Sequence, residues 1–148
     1  MKEWRVYLIY SVGLMLLTGL FCLIANFLFY FLILYSLSLL LLCGITLNCG
    51  KDILKEIYRY NRTQLRDTKR EVRILRYIIV IGIILQLSIL FFHVFNNFSS
   101  FPNIEPFMDF AYRTMSLIVL LLEVSAIFRL NEVINTASIL LEEKNHND

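Results

Sequence analysis

Residues 6–50 read VYLIYSVGLMLLTGLFCLIANFLFYFLILYSLSLLLLCGITLNCG and contain no Asp, Glu, Lys or Arg. A membrane-crossing helix needs about 20 apolar residues, because each residue rises about 1.5 Å through about 30 Å of hydrocarbon. This stretch is about twice that length, so one straight helix overshoots and two antiparallel spans joined by a tight turn fit. Asn26 lies near the midpoint and tolerates turn geometry, which places the spans at about 6–25 and 27–48. Asn48 and Gly50 then read as the C-terminal stop signal of the second span. A cleaved signal peptide is the competing reading of the start, with Lys2 and Arg5 as its basic head. It is disfavoured because the apolar run continues well past the usual length and no small-residue cleavage site follows.

The bulk composition agrees. The chain has 148 residues, 58% hydrophobic and 18% charged, against about 45–50% and 25% for soluble domains. A domain this small has little interior in which to hide the excess. Composition therefore excludes an ordinary soluble enzyme, a nucleic-acid-binding domain and a disordered chain. The net charge of +2 gives no overall field for nucleic acid.

Outward from the apolar stretch the character changes abruptly. Residues 51–76 carry nine of the 14 basic residues: Lys51, Lys55, Arg59, Arg62, Arg66, Lys69, Arg70, Arg73 and Arg76. The acids Asp52, Glu56, Asp67 and Glu71 are interspersed, and no Gly or Pro interrupts them. Pairs such as Glu56–Arg59 and Asp67–Arg70 have i,i+3 helical spacing. The stretch reads as one water-exposed helix running on into the next span. Its charge serves topology and solubility, or alternatively adhesion to anionic lipid headgroups, with Tyr58 and Tyr60 at the interface.

A third span follows at about 77–95, a loop over 96–106 marked by Asn, Ser and two prolines, and a fourth span at about 107–130. The polar, acidic tail 131–148 continues the helix to about Leu141. With the N-terminus inside, 13 of the 14 basic residues fall on the cytoplasmic side and only Arg113 outside, as the positive-inside rule requires. Trp4, Tyr7 and Tyr77 would flank the inner interface, and Phe95, Phe98, Phe101 and Phe107 the outer one. Two glycosylation sequons, at Asn61 and Asn97, act as topology probes, and only Asn97 faces outward in this arrangement.

Polar residues within the spans are functional candidates by default. At 100° per residue Asp109, Arg113, Ser116 and Glu123 share one arc of the fourth span. Gly82, Gln86, His93 and Asn97 do so on the third, and Ser11, Thr18, Cys22 and Asn26 on the first. Matching depths across the third and fourth spans places His93 near Asp109 and Arg113, and Gln86 near Glu123. Such stripes commonly serve packing, through hydrogen bonds worth about 0.6 kcal/mol each. Arg129 reaches the inner surface by snorkelling. Glu123 lies several residues from either end, where an acid is neutral or paired. The expectation is a packing role for Glu123, with a ligand, ion or proton role as the alternative.

No metal- or cofactor-binding spacing and no catalytic motif occurs in the sequence. Cys22, Cys43 and Cys49 form no disulfide framework and read as buried small residues, with palmitoylation of Cys49 as an alternative. The expected partners are the lipid bilayer, anionic lipid along residues 51–76, and further copies or other membrane chains, with no nucleic acid.

Residues 128–142, FRLNEVINTASILLE, resemble the segment just inside the sixth helix of insect gustatory and odorant receptors, with Glu132, Thr136, Ala137, Ile139 and Leu140 at the matching positions. Residues 75–95, LRYIIVIGIILQLSILFFHVF, look like that family's fifth helix. The resemblance implies a relative of a tetrameric ligand-gated cation channel, whose third to sixth helices the four spans would represent. The family's seventh, pore-lining helix is not matched, and the turn at Asn26 is shorter than the family's outer loop, so no pore residue carries over.

The sequence thus leads to an all-α, non-enzymatic multi-pass membrane protein. It has two antiparallel hairpins joined by a basic cytoplasmic helix, with both termini cytoplasmic and the plasma membrane as its site. Three functions stay open: a truncated chemosensory-receptor-like protein, an accessory or immunity-type protein acting through helix contacts with a larger partner, and a small oligomeric transporter using Glu123.

Overall fold

A computed structural model describes residues 2–24, 29–95 and 106–146. They form four helices: α1 (Lys2–Ile24), α2 (Phe29–Glu56), α3 (Arg62–Phe95) and α4 (Pro106–His146), with a short 3₁₀ turn at Ile57–Arg59. No strand occurs among the described residues. The proposed turn at Asn26, the loop after Phe95 with the Asn97 sequon, Phe98 and Phe101 lie outside them.

The sequence dictates which face of each helix is buried. On α4 the buried positions are Tyr112, Ser116, Val119, Glu123, Ala126, Leu130, Val133 and Ala137, alternating at spacings of four and three. On α3, Val72, Leu75, Ile79, Gly82, Gln86 and Ile89 follow the same rhythm. Alternating three and four is the heptad seam of helices packed at a shallow angle. α3 packs along α4, α4 packs on α2, and α2 packs on α1. The central helix α2 accordingly buries Leu32, Tyr35, Leu39, Leu42 and Cys43. A buried bond between the Thr18 and Ser38 hydroxyls, 3.2 Å long, ties α1 to α2.

Four helices of alternating direction bring the basic segments to one end. There Arg5 pairs with Glu71 at 3.2 Å, Arg76 donates to Asn131 at 2.8 Å, and Lys144 donates to the Tyr60 carbonyl. Tyr7, Tyr77 and Phe107 face outward.

The expected continuous helix over 51–76 is not what forms. α2 runs on to Glu56, the chain reverses through residues 57–61, and α3 starts at Arg62. Ile57 and Tyr60 are buried at this corner, so an exposed straight helix would have left two large apolar side chains in water. Tyr60 is extended. The Leu65 amide donates to the Asn61 carbonyl at 2.9 Å, and the Asn61 amide donates to the Gln64 side chain at 2.9 Å. This is the glutamine half of a capping box, which satisfies a backbone donor that a helix start leaves orphaned. Burial also removes Tyr60 from the interfacial role expected for it, while Tyr58 stays exposed. The stretch expected as a fourth span and the tail after it form one helix that continues past Leu141 to His146.

Among the described residues, two stretches are long and apolar enough to cross a membrane: Leu32–Arg59, of 28 residues, and Arg62–Phe91, of 30; Arg5–Phe21 is a shorter apolar helix.

Candidate functional site

Midway along the bundle a polar layer interrupts the apolar seam. Glu123 enters it from α4 because it falls on the seam, one heptad after Ser116, where only the inward direction is available. Its side chain is 0% exposed. Opposite it, α3 presents Gly82. A Cβ built on Gly82 would lie 3.5 Å from Glu123 Oε1, 3.2 Å from Leu39 Cδ2 and 3.7 Å from Met15 Sδ. One missing side chain thus makes the room in which α1, α2, α3 and α4 converge, and the carboxyl occupies its edge. The Tyr35 hydroxyl donates to the Gly82 carbonyl over a long 3.5 Å, which holds α2 against the same turn of α3.

Neither oxygen of Glu123 has a hydrogen-bond partner. Gln86, expected beside it, lies about one turn further along α3, and its Nε2 donates instead to the Ser116 carbonyl at 2.9 Å. Gln86 Oε1 and Ser116 Oγ are likewise buried without partners. Ser116 and Glu123 are seven residues apart, about 10 Å along the helix axis. The α3–α4 seam therefore carries a spaced row of oxygen atoms: a hydroxyl, an amide oxygen and a carboxyl.

Of the five residues singled out in the sequence, Gln86 and Glu123 are buried on facing helices. Arg113 is half-buried beside the seam. His93 and Asp109 belong to α3 and α4, but their side chains lie outside the described set, so the expected cluster with Arg113 is not among the described contacts. The arc on α1 holds in part, with Ser11 and Thr18 both buried. Ser11 donates to the Leu8 carbonyl at 2.9 Å and Thr18 to that of Leu14 at 2.8 Å, both within their own helix, while Thr18 also meets the Ser38 hydroxyl of α2. Sequence reasoning missed Tyr35, Leu39 and Met15 as walls of the layer. They are ordinary apolar residues in an apolar run, and only tertiary packing distinguishes them.

The layer joins α3 to α4 through the Gln86–Ser116 hydrogen bond and leaves both Glu123 oxygens without a partner. An unpartnered buried polar group costs about 1–3 kcal/mol, more for an ionised one in hydrocarbon, and packing layers normally recover that cost through hydrogen bonds. Oxygen atoms without donors suit a guest that is itself a proton or a hard cation. No group of three His, Cys, Asp or Glu side chains that could hold a metal ion occurs among the described residues. The resemblance segment 128–142 lies wholly on α4, with Arg129 paired to Glu132 at 2.8 Å, Thr136 bonded to the Glu132 carbonyl at 2.9 Å and Ala137 buried. The chain matches no family model, no curated protein and no solved structure.

Proposed function

We propose that this chain is a small, non-enzymatic four-span membrane protein that passes a proton or a monovalent cation by way of the Glu123 carboxyl. The observation that carries the reading is the fully buried carboxyl with both oxygens unpartnered at the convergence of four helices. The outward faces support the membrane setting. Leu16, Ile81 and Leu121 are 60%, 60% and 70% exposed, and rows of such residues belong against lipid tails. In this reading α1 to α4 each cross the bilayer, both termini and the corner at residues 57–61 are cytoplasmic, and Gln86 and Ser116 relay the guest along the seam.

The test is flux in sealed vesicles that hold the purified protein. A proton gradient, followed by an internal pH-sensitive dye, and sodium or potassium gradients form separate arms. The wild type should dissipate at least one gradient, and Glu123→Gln should reduce that flux to the protein-free background with helicity retained. A well-folded Glu123→Gln protein with undiminished flux would reject the reading.

A further inference from the structure

At the basic end the four helices enclose a second feature, unrelated to Glu123. A cleft of about 260 Å³ opens where α1 and α3 pass each other, lined by Leu8 and Ile9 of α1, Cys49 and Ile53 of α2, and Ile74 and Ile78 of α3. α1 packs mainly on α2, and α3 mainly on α4, so the cleft faces sideways. The lining is almost wholly apolar. The Thr46 hydroxyl in its wall already donates to the Leu42 carbonyl at 2.7 Å. The space exceeds the roughly 150 Å³ of a dry cavity that takes benzene. Only the mouth is charged, where Arg5 and Glu71 meet at 3.2 Å.

We propose that this cleft holds one acyl chain of an anionic phospholipid, with its headgroup at Arg5. Three observations favour this occupant. The charged rim lies at the end of the bundle that carries nine basic residues within 51–76, against four acids. The apolar part extends from that rim toward the middle of the bundle, along Leu8 and Ile78, as a tail anchored at the interface would. Ile9 and Ile74 are 69% and 53% exposed at the cleft's edge, which leaves lateral entry from the bilayer open. Each buried methylene favours the bound chain, and the basic end favours a negative headgroup.

The inference rests on the membrane-spanning reading, and the test separates the two. Protein in phosphatidylcholine vesicles is exposed to trace phosphatidylglycerol or phosphatidylcholine carrying the same photoactivatable acyl chain, and labelled residues are mapped. Label should concentrate on Leu8, Ile9, Ile74 and Ile78, with phosphatidylglycerol ahead by up to about fivefold, the ratio that one basic residue near an anionic headgroup supplies before Glu71 offsets part of it. Arg5→Gln should erase that preference, and Arg5→Lys should keep it. Equal labelling by both headgroups would overturn the proposal, as would label no denser in the cleft than on outward Leu117 and Leu121; either leaves the membrane reading standing. Failure of the protein to float with the vesicles would overturn both.

Discussion

The basic end and the polar layer around Glu123 treat polar groups in opposite ways. At the basic end Arg5, Arg76, Arg129 and Lys144 each reach a named acceptor, and Gln64 caps the start of α3. These groups sit beside solvent, so each pairing adds little and losing one costs little. In the middle of the bundle Glu123, Gln86 and Ser116 keep oxygen atoms without partners, where the cost of each is greatest. Other buried groups, such as the Thr46 hydroxyl and the Gln86 amide nitrogen, do find acceptors, so the unpartnered oxygens single out one layer of the bundle, the one to which the proposed function assigns the guest.

Substitutions at the two regions sharpen the contrast. The largest effect is expected from Gly82→Leu. Its Cβ meets Leu39 at 3.2 Å and Glu123 at 3.5 Å, and the rest of the side chain has nowhere to go. Overpacking of this kind should cost about 3 kcal/mol of stability in mild detergent. Pairing it with Glu123→Ala should recover part of the loss, and a purely additive double variant would show that the two residues do not share the layer.

Glu123→Leu comes next, and here the expected sign is the informative part. A packing carboxyl would leave a partner stranded, and its loss would destabilise. With no partner present, the variant should instead gain about 1–2 kcal/mol in the same detergent assay. A loss of that size would place a hidden hydrogen bond at Glu123 and return it to a packing role.

At the basic end, Gln64→Ala removes the acceptor of the Asn61 amide and should cost about 1 kcal/mol or less, read as faster amide exchange at residues 61–65. Protection unchanged there would mean that burial of Ile57 and Tyr60 alone holds the corner.

The smallest effect concerns Tyr60 and is confined to alkaline pH. Burial raises its hydroxyl above the ordinary value of 10.0, Glu56 raises it further, and Arg5 lowers it. The unfolded chain therefore releases this proton first as pH rises. The corresponding stability is complete below about pH 10 and falls as pH climbs through the folded value. Tyr60→Phe should flatten that decline in an alkaline denaturation series, whereas an identical decline in the variant would assign it to other groups.

Much of this was legible in the residues. The charge-free stretch 6–50 announced two helices because its 45 residues are about twice the length of one apolar helix span and Asn26 divides them near the midpoint. The 100° arcs put Ser116 with Glu123 and Gly82 with Gln86, and the heptad seam follows the same arithmetic. The corner at 57–61 was missed because it contains neither Gly nor Pro. Its signal was the Asn61-to-Gln64 spacing, easily passed over inside a run of charges. Gln86, expected near Glu123, is buried on the facing helix about one turn away and bonds to Ser116 instead. Depth matching fixes neighbours only to within a turn, and the register is set by which seam residue is small enough to face a carboxyl, here Gly82.

Whether Glu123 holds a guest is read most directly from the melting temperature of the wild type and of Glu123→Gln in detergent, titrated with sodium, with potassium and with acid. A guest that binds only the folded state stabilises it by an amount that grows with concentration, about 2.7 kcal/mol at a hundredfold excess over its dissociation constant. The wild type should be stabilised progressively by at least one of the three, and Glu123→Gln, equally helical, should not respond. Parallel responses of the two proteins in every titration would contradict a guest at Glu123.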